Sequence, residues 1–156
     1  MTIPFVLKLN HSFYKTQAEL IASSYENFTG APLLPYSERP NIEELYSAPL
    51  IILSHGVEDD PLFNFSSKLG LDLFGYEFED FILLPSRKSA EMVEREERDK
   101  LLKEVAENGF IPNYRGIRVA SNGKRFYIEN AVVWNLVDKE NVYHGQAAAF
   151  TEYSFI

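Results

Sequence analysis

Ile117-Arg118-Val119-Ala120-Ser121-Asn122-Gly123-Lys124-Arg125-Phe126-Tyr127-Ile128 places Asn-Gly between two runs of strand-forming residues. That dipeptide is the strongest short-range hairpin signal, because a type I′ turn needs positive φ at both central positions. The spacing predicts such a turn at residues 121–124, followed by a long strand over 125–137. Asp138-Lys139-Glu140-Asn141 reads as a second polar turn and residues 142–150 as a further strand. Residues 113–150 are therefore expected to form a three-stranded antiparallel meander.

Alternation along the middle strand sets an orientation. Phe126, Ile128, Val132, Trp134 and Leu136 share one parity, with Asn130 among them. Arg125, Tyr127, Glu129 and Asn135 share the other. The first face is expected to meet the helices, so Asn130 must find polar partners there.

Upstream, residues 13–28 are helical in composition, and Gly30 suits a left-handed cap. Asn41 can cap a short helix through Tyr46. The apolar run 49–54 is too short for a helix and reads as a strand buried on both faces. His55-Gly56 turns the chain, and residues 61–65 form a short second strand. Ser66 is positioned to cap the next helix, which Gly75 ends, and residues 77–83 form a short helical turn. The longest helix is expected from about Lys88 to Asn108, capped by Ser86 or Ser89 and stopped by Gly109. Its apolar stripe is Met92, Val93, Leu101, Leu102, Val105 and Ala106, and its middle, residues 94–100, is charged. Strand, strand, short helices and a closing meander outline a PAS-type sensory domain. The fold class expected is α+β: a PAS-like five-stranded antiparallel sheet packed against helices, with an N-terminal helical extension over 1–40 and the PAS-like domain over 41–156.

Composition narrows the function classes. With no cysteine, disulfides, thiolate metal sites and cysteine nucleophiles are excluded, which fits a cytoplasmic protein. A net charge of −8 argues against a phosphate backbone as direct partner. Ten of the 15 basic residues and seven acids lie between Arg87 and Arg125, so that stretch is +3 and the rest −11. This reads as a solvated helix face with internal ion pairs. No segment reaches the ~18 apolar residues of a membrane span, and residues 1–9 lack the basic start of a secretory signal.

No nucleophile elbow, His-Glu-x-x-His, P-loop or dinucleotide fingerprint occurs. With one histidine per neighbourhood and no cysteine, no transition-metal site is expected. An adduct-forming flavin needs a cysteine, and a haem usually needs an axial histidine on the long helix, which has none, so neither cofactor is expected. His55, at the end of a buried strand, is a turn residue or a ligand group. Ser86 and Arg87, with Ser89, make either an anion site at a helix start or plain capping with an ion pair from Arg87 to a loop acid such as Asp60. Trp134 is core or pocket wall, with Asn130 and Gln146 as polar anchors. Asn64, on the short second strand, completes the candidate ligand residues.

The segments Ser54-His55-Gly56…Asp60-Pro61, Pro85-Ser86-Arg87-Lys88-Ser89-Ala90-Glu91, Gly116-Ile117-Arg118, Ala131-Val132-Val133-Trp134-Asn135-Leu136, Gly145-Gln146-Ala147-Ala148 and Tyr153-Ser154-Phe155-Ile156 resemble the MEKHLA domain from about Asn41 onward. That family is PAS-like, and the resemblance is to its stand-alone bacterial type. It also stands at the C-terminus of plant homeodomain–leucine zipper proteins, where it is thought to regulate activity and dimerisation. The hexapeptide that names it is missing, and these residues hold no homeodomain or zipper, so DNA binding does not carry over. The resemblance implies a sensory or regulatory module that binds a small molecule, forms a homodimer, or both. The alternatives are an interaction domain with a filled core, and a small isomerase or hydratase on a similar fold, which would need a carboxylate in its pocket.

Overall fold

The computed structural model describes residues 2–90 and 92–156, without the side chains of Met92, Val93, Glu94 and Arg98. The side chains expected at Met92 and Val93 in the apolar stripe and at Glu94 and Arg98 in the charged middle, and Glu91 of the family-like segment, lie outside what is described.

The chain opens with α1 (Phe5–Leu9) and α2 (His11–Thr29), then α3 (Ile42–Tyr46), β1 (Ile51–His55), β2 (Phe63–Ser66), α4 (Lys68–Phe74) and α5 (Phe78–Phe81). A 3₁₀ turn (Ser86–Ser89) leads to α6 (Met92–Asn108), and β3 (Phe110–Val119), β4 (Arg125–Val137), β5 (Tyr143–Phe150) and β6 (Glu152–Phe155) follow. The described strands form one antiparallel sheet in the order β2-β1-β5-β4-β3. The sheet has a sixth strand beyond the five expected: β6 continues past β5 along β4, pairing Phe126 with Phe155 and Glu129 with Glu152. The meander, the PAS-like order and the burial of β1 on both faces match the reading of the sequence.

Local chemistry explains most boundaries. Asn41 forms a full capping box with Glu44, satisfying two free N–H groups at the start of α3. Gly30, Gly75 and Gly109 close α2, α4 and α6 with positive φ. Ser67, not Ser66, caps α4, because Ser66 still pairs with Leu53 in the sheet. The longest helix is α2, at 19 residues. α6 starts at Met92 rather than Lys88, because the chain first makes the 3₁₀ turn and an extended residue at Ala90.

The hairpin at Asn122-Gly123 forms, but not as a type I′ turn. Gly123 alone has positive φ. Its N–H reaches the Ala120 carbonyl, and the Ala120 N–H bonds to the Lys124 carbonyl. This is a type I turn closed by a left-handed residue, the three-residue loop, which needs only one such position. The β4–β5 turn repeats the arrangement with Asn141 (φ 65°) in the place of the glycine.

The larger departure is in β4. Gly116 pairs with Ile128 and Tyr114 with Ala131, so β4 carries one extra residue there. Ile111 pairs with Val133, so β3 carries one extra residue in turn. Asn130 (φ 50°) and Asn113 (φ 59°) occupy these two bulges in the left-handed region that Asn tolerates best after Gly. The bulge exchanges the faces beyond it. Phe126 and Ile128 point to the inner face, and so does Val133, whereas Trp134 points outward. Asn130 is exposed and donates to Glu152.

The sheet is thus sandwiched. α2 lies across the outer face. The indole N–H of Trp134 donates to the Ile21 carbonyl at 3.2 Å, and its ring meets Tyr25 edge-on. Ser24 exchanges hydrogen bonds with the backbone of Val137, and Gln17 reaches Ser54 and Asn64. The apolar face of α2 is therefore covered by its own sheet. α4, the 3₁₀ turn and α6 cover the inner face, and α5 closes the β2 edge, with Phe81 stacked on Phe63 and Phe78 against Phe65 and Tyr14.

Candidate ligand site

The inner face borders a partly open cavity of about 70 Å³. Its floor is sheet: Leu53 and His55 of β1, Gln146 and Ala148 of β5, Ile128 and Val133 of β4, Tyr114 and Arg118 of β3. Its roof is Leu101, Leu102 and Val105 of α6, with Phe74 of α4 at one side. No Asp or Glu lines it among the described residues, so the carboxylate that an isomerase or hydratase would require is not among them.

At one end, two carboxamides face each other across the ladder. Asn135 pairs with Gln146, and the Gln146 amide donates to Asn135 Oδ1 at 3.1 Å. Both also donate to α6: Gln146 to the Leu102 carbonyl at 3.0 Å, Asn135 to the Val105 carbonyl at 2.9 Å. The C-terminal half of α6 thus hangs from a pair of sheet amides. Gln146 Oε1 is buried and accepts no hydrogen bond among the described residues, a state that costs about 1–3 kcal/mol unless a donor arrives. His55 sits beside this pair, buried, with Nδ1 3.0 Å from the Gly56 carbonyl. Gly145 permits the arrangement. Its φ is +122°, and a Cβ there would lie 2.0 Å from the His55 carbonyl oxygen.

At the other end lies Arg118. Its guanidinium donates to the Ile117 carbonyl at 2.7 Å and to the Tyr114 hydroxyl at 2.9 Å, and sits 5.5 Å from the Tyr114 ring centre. Tyr114 folds back along its own strand, over Gly116. A Cβ on Gly116 would come 2.3 Å from the phenol oxygen, so the glycine makes room for the ring.

The expected ligand residues separate into two groups. His55 and Gln146 line the cavity. The other five do not. Trp134 and Asn130 were expected beside the long helix, but the bulge turns Trp134 to α2 and leaves Asn130 on the surface. Asn64 is held in the α2 network: its Oδ1 accepts from Ser54 and Gln17, and its carbonyl accepts from Tyr14. That network buries the Tyr14 phenol and pushes its pKa up to about 12. Ser86 is buried, with its N–H on the Pro61 carbonyl. Arg87 places its Nε 3.1 Å from both oxygens of Asp60, the ion pair that competes with an anion site. Tyr114, Arg118 and Asn135 were not among the expected site residues. Tyr114, Gly116 and Arg118 share a parity, which was the available signal. Asn135 was placed on the opposite face by alternation that the bulge breaks.

Residues 15–155 match the MEKHLA domain over nearly their whole length, including most of α2. This chain belongs to the MEKHLA domain family. Homeobox-leucine zipper protein HOX32 of Oryza sativa subsp. japonica is 26% identical over 147 residues, and HOX9 of subsp. indica 23%. In each case 90% of this chain is covered but 17% of the relative, so the chain spans about a sixth of the length of those relatives. Among solved structures, the PAS domain of a protein from Colwellia psychrerythraea superposes with a TM-score of 0.61 at 14% identity, covering 73% of this chain and 92% of that one. A light-oxygen-voltage domain studied with a flavin analogue gives 0.59 at 14% identity, covering 74% of this chain and 83% of that one. These likenesses establish the PAS-type fold. The chain has no cysteine with which a bound flavin could form an adduct. No described helix is long and apolar enough to cross a membrane.

Proposed function

We propose that this MEKHLA domain is a regulatory sensor that takes a small molecule into the cavity and reads its presence through α6. The observation that carries the proposal is the coupling of cavity to helix. Leu101, Leu102 and Val105 form the roof, and the same stretch of α6 hangs from Asn135 and Gln146 through backbone carbonyls. An occupant that pushes on the roof or donates to Gln146 Oε1 therefore changes how α6 is held. The lining is apolar apart from a few groups, as in small-molecule sites generally.

Xenon tests the cavity without regard to charge, because apolar cavities take it up. Xenon pressure should shift the amide resonances of residues 101–105 and 146–148, and Val133→Phe, which fills the space, should abolish those shifts. Shifts spread evenly over the surface would remove the reading.

A homodimer is the second reading, and one observation favours it. Phe5, Leu9 and Phe13 recur four residues apart along α1 and the start of α2, exposed at 68%, 68% and 48%. Large exposed apolar patches mark interaction sites. Sedimentation equilibrium of the protein and of a Phe5→Glu, Leu9→Glu variant tests it: a monomeric parent chain would dismiss it.

A further inference from the structure

The geometry points to a short-chain hydrophobic monocarboxylate as the ligand, its carboxylate held by Arg118 and the Tyr114 hydroxyl. This rests on the cavity being the sensory site. Arg118 forms no ion pair among the described residues, although it is half-buried and borders an apolar space. Its charge at the rim of an apolar space is therefore uncompensated among the described residues, and a carboxylate would supply the counter-charge. Two hydrogen bonds occupy part of its five N–H donors, leaving donors in a fork suited to a carboxylate.

Tyr114 supplies a second donor. Its hydroxyl accepts from Arg118, and its own proton has no acceptor among the described residues, although the residue is 92% buried (8% exposed). Phenol and guanidinium therefore converge as donors at one end of the cavity. Gly116 holds them there by giving the Tyr114 ring its room. The remaining wall is hydrocarbon: Phe74, Ile128, Val133, Leu102 and Val105. It would accept an alkyl or small aryl tail and reject a second charge.

Size narrows the class. A cavity of about 70 Å³ suits a short tail rather than a long acyl chain, so the probes are kept to acids of a few carbons.

Pentanoate, pentan-1-ol and succinate are the probes, each titrated into the full chain and followed by amide chemical shifts of residues 114–118. Pentanoate should bind at least tenfold tighter than pentan-1-ol, and succinate should not bind. Arg118→Gln and Tyr114→Phe should each weaken pentanoate at least tenfold, and by a larger factor than they weaken pentan-1-ol. Arg118→Lys, which keeps charge but loses the fork, should fall between. A dispersed amide spectrum checks that each variant folds, and retained xenon shifts check that its cavity persists. Equal binding of pentanoate and pentan-1-ol, or pentanoate binding indifferent to both substitutions, overturns the carboxylate assignment. Xenon uptake without pentanoate binding overturns it too, yet leaves the sensory cavity standing. Uptake of neither overturns both.

Discussion

Replacing Asn130 tests the feature that decides which residues face the cavity. Asn130 holds the β4 bulge at φ 50°. A non-glycine residue costs about 1–2 kcal/mol in the left-handed region, and Asn less than most. Asn130→Ala therefore incurs most of that strain, and Asn130→Gly none. Both lose the exposed bond to Glu152, so it cancels between them. Glycine carries an opposing cost of about 0.4–1 kcal/mol from the freer unfolded chain. The difference leaves Asn130→Gly more stable than Asn130→Ala by about 0.5–1 kcal/mol. For a chain of this size that is about 1–4 °C in Tm. The sign is diagnostic, because in a regular strand Ala exceeds Gly. Urea denaturation at constant m-value measures both variants. An Asn130→Ala protein as stable as Asn130→Gly, or more so, would refute the bulge and with it the assignment of Val133 to the cavity and Trp134 to α2.

Gly145→Ala should be far more damaging, by about 3 kcal/mol or more, since strain at φ +122° adds to a Cβ placed 2.0 Å from the His55 carbonyl. A urea midpoint within experimental error of the parent would contradict that contact. Arg87→Ala should cost no more than about 1 kcal/mol, because its pair with Asp60 is 43% and 49% exposed; a larger loss in thermal denaturation would mean the pair does more than tie the surface. Asp138 is held below its ordinary value of 3.8, first by the hydrogen bond from His144 and then by the Val142 N–H. A carboxylate depressed in the fold contributes stability that is complete above its unfolded value and fades as pH falls through the lower folded one. Carbon-detected titration of Asp138 should show a midpoint under 3.8 that rises in His144→Ala; an unchanged midpoint would show that His144 contributes nothing.

Sequence by itself determined most of the elements and their order, though not α1, the 3₁₀ turn or β6. Asn122-Gly123, the Asn41 cap, the three helix-ending glycines and the apolar run of β1 are local signals: turn chemistry, capping and short-range periodicity act over a few residues. The Arg87–Asp60 pair was legible too, as the plain alternative to an anion site. What only the tertiary structure decided is which face each side chain meets. Alternation through Asn130 sends Trp134 and Ile128 to one side, and one left-handed residue reverses that. Asn113 and Asn130 act together, because the extra residue on one strand is matched on its neighbour, and nothing local in either strand announces the match. The same long-range pairing brings Asn135 opposite Gln146 beneath α6, and strand curvature lays Tyr114 over Gly116 toward Arg118. A one-residue shift flips every side chain beyond it to the other face of a sheet, so the cavity belonged to the register between strands and not to any single strand.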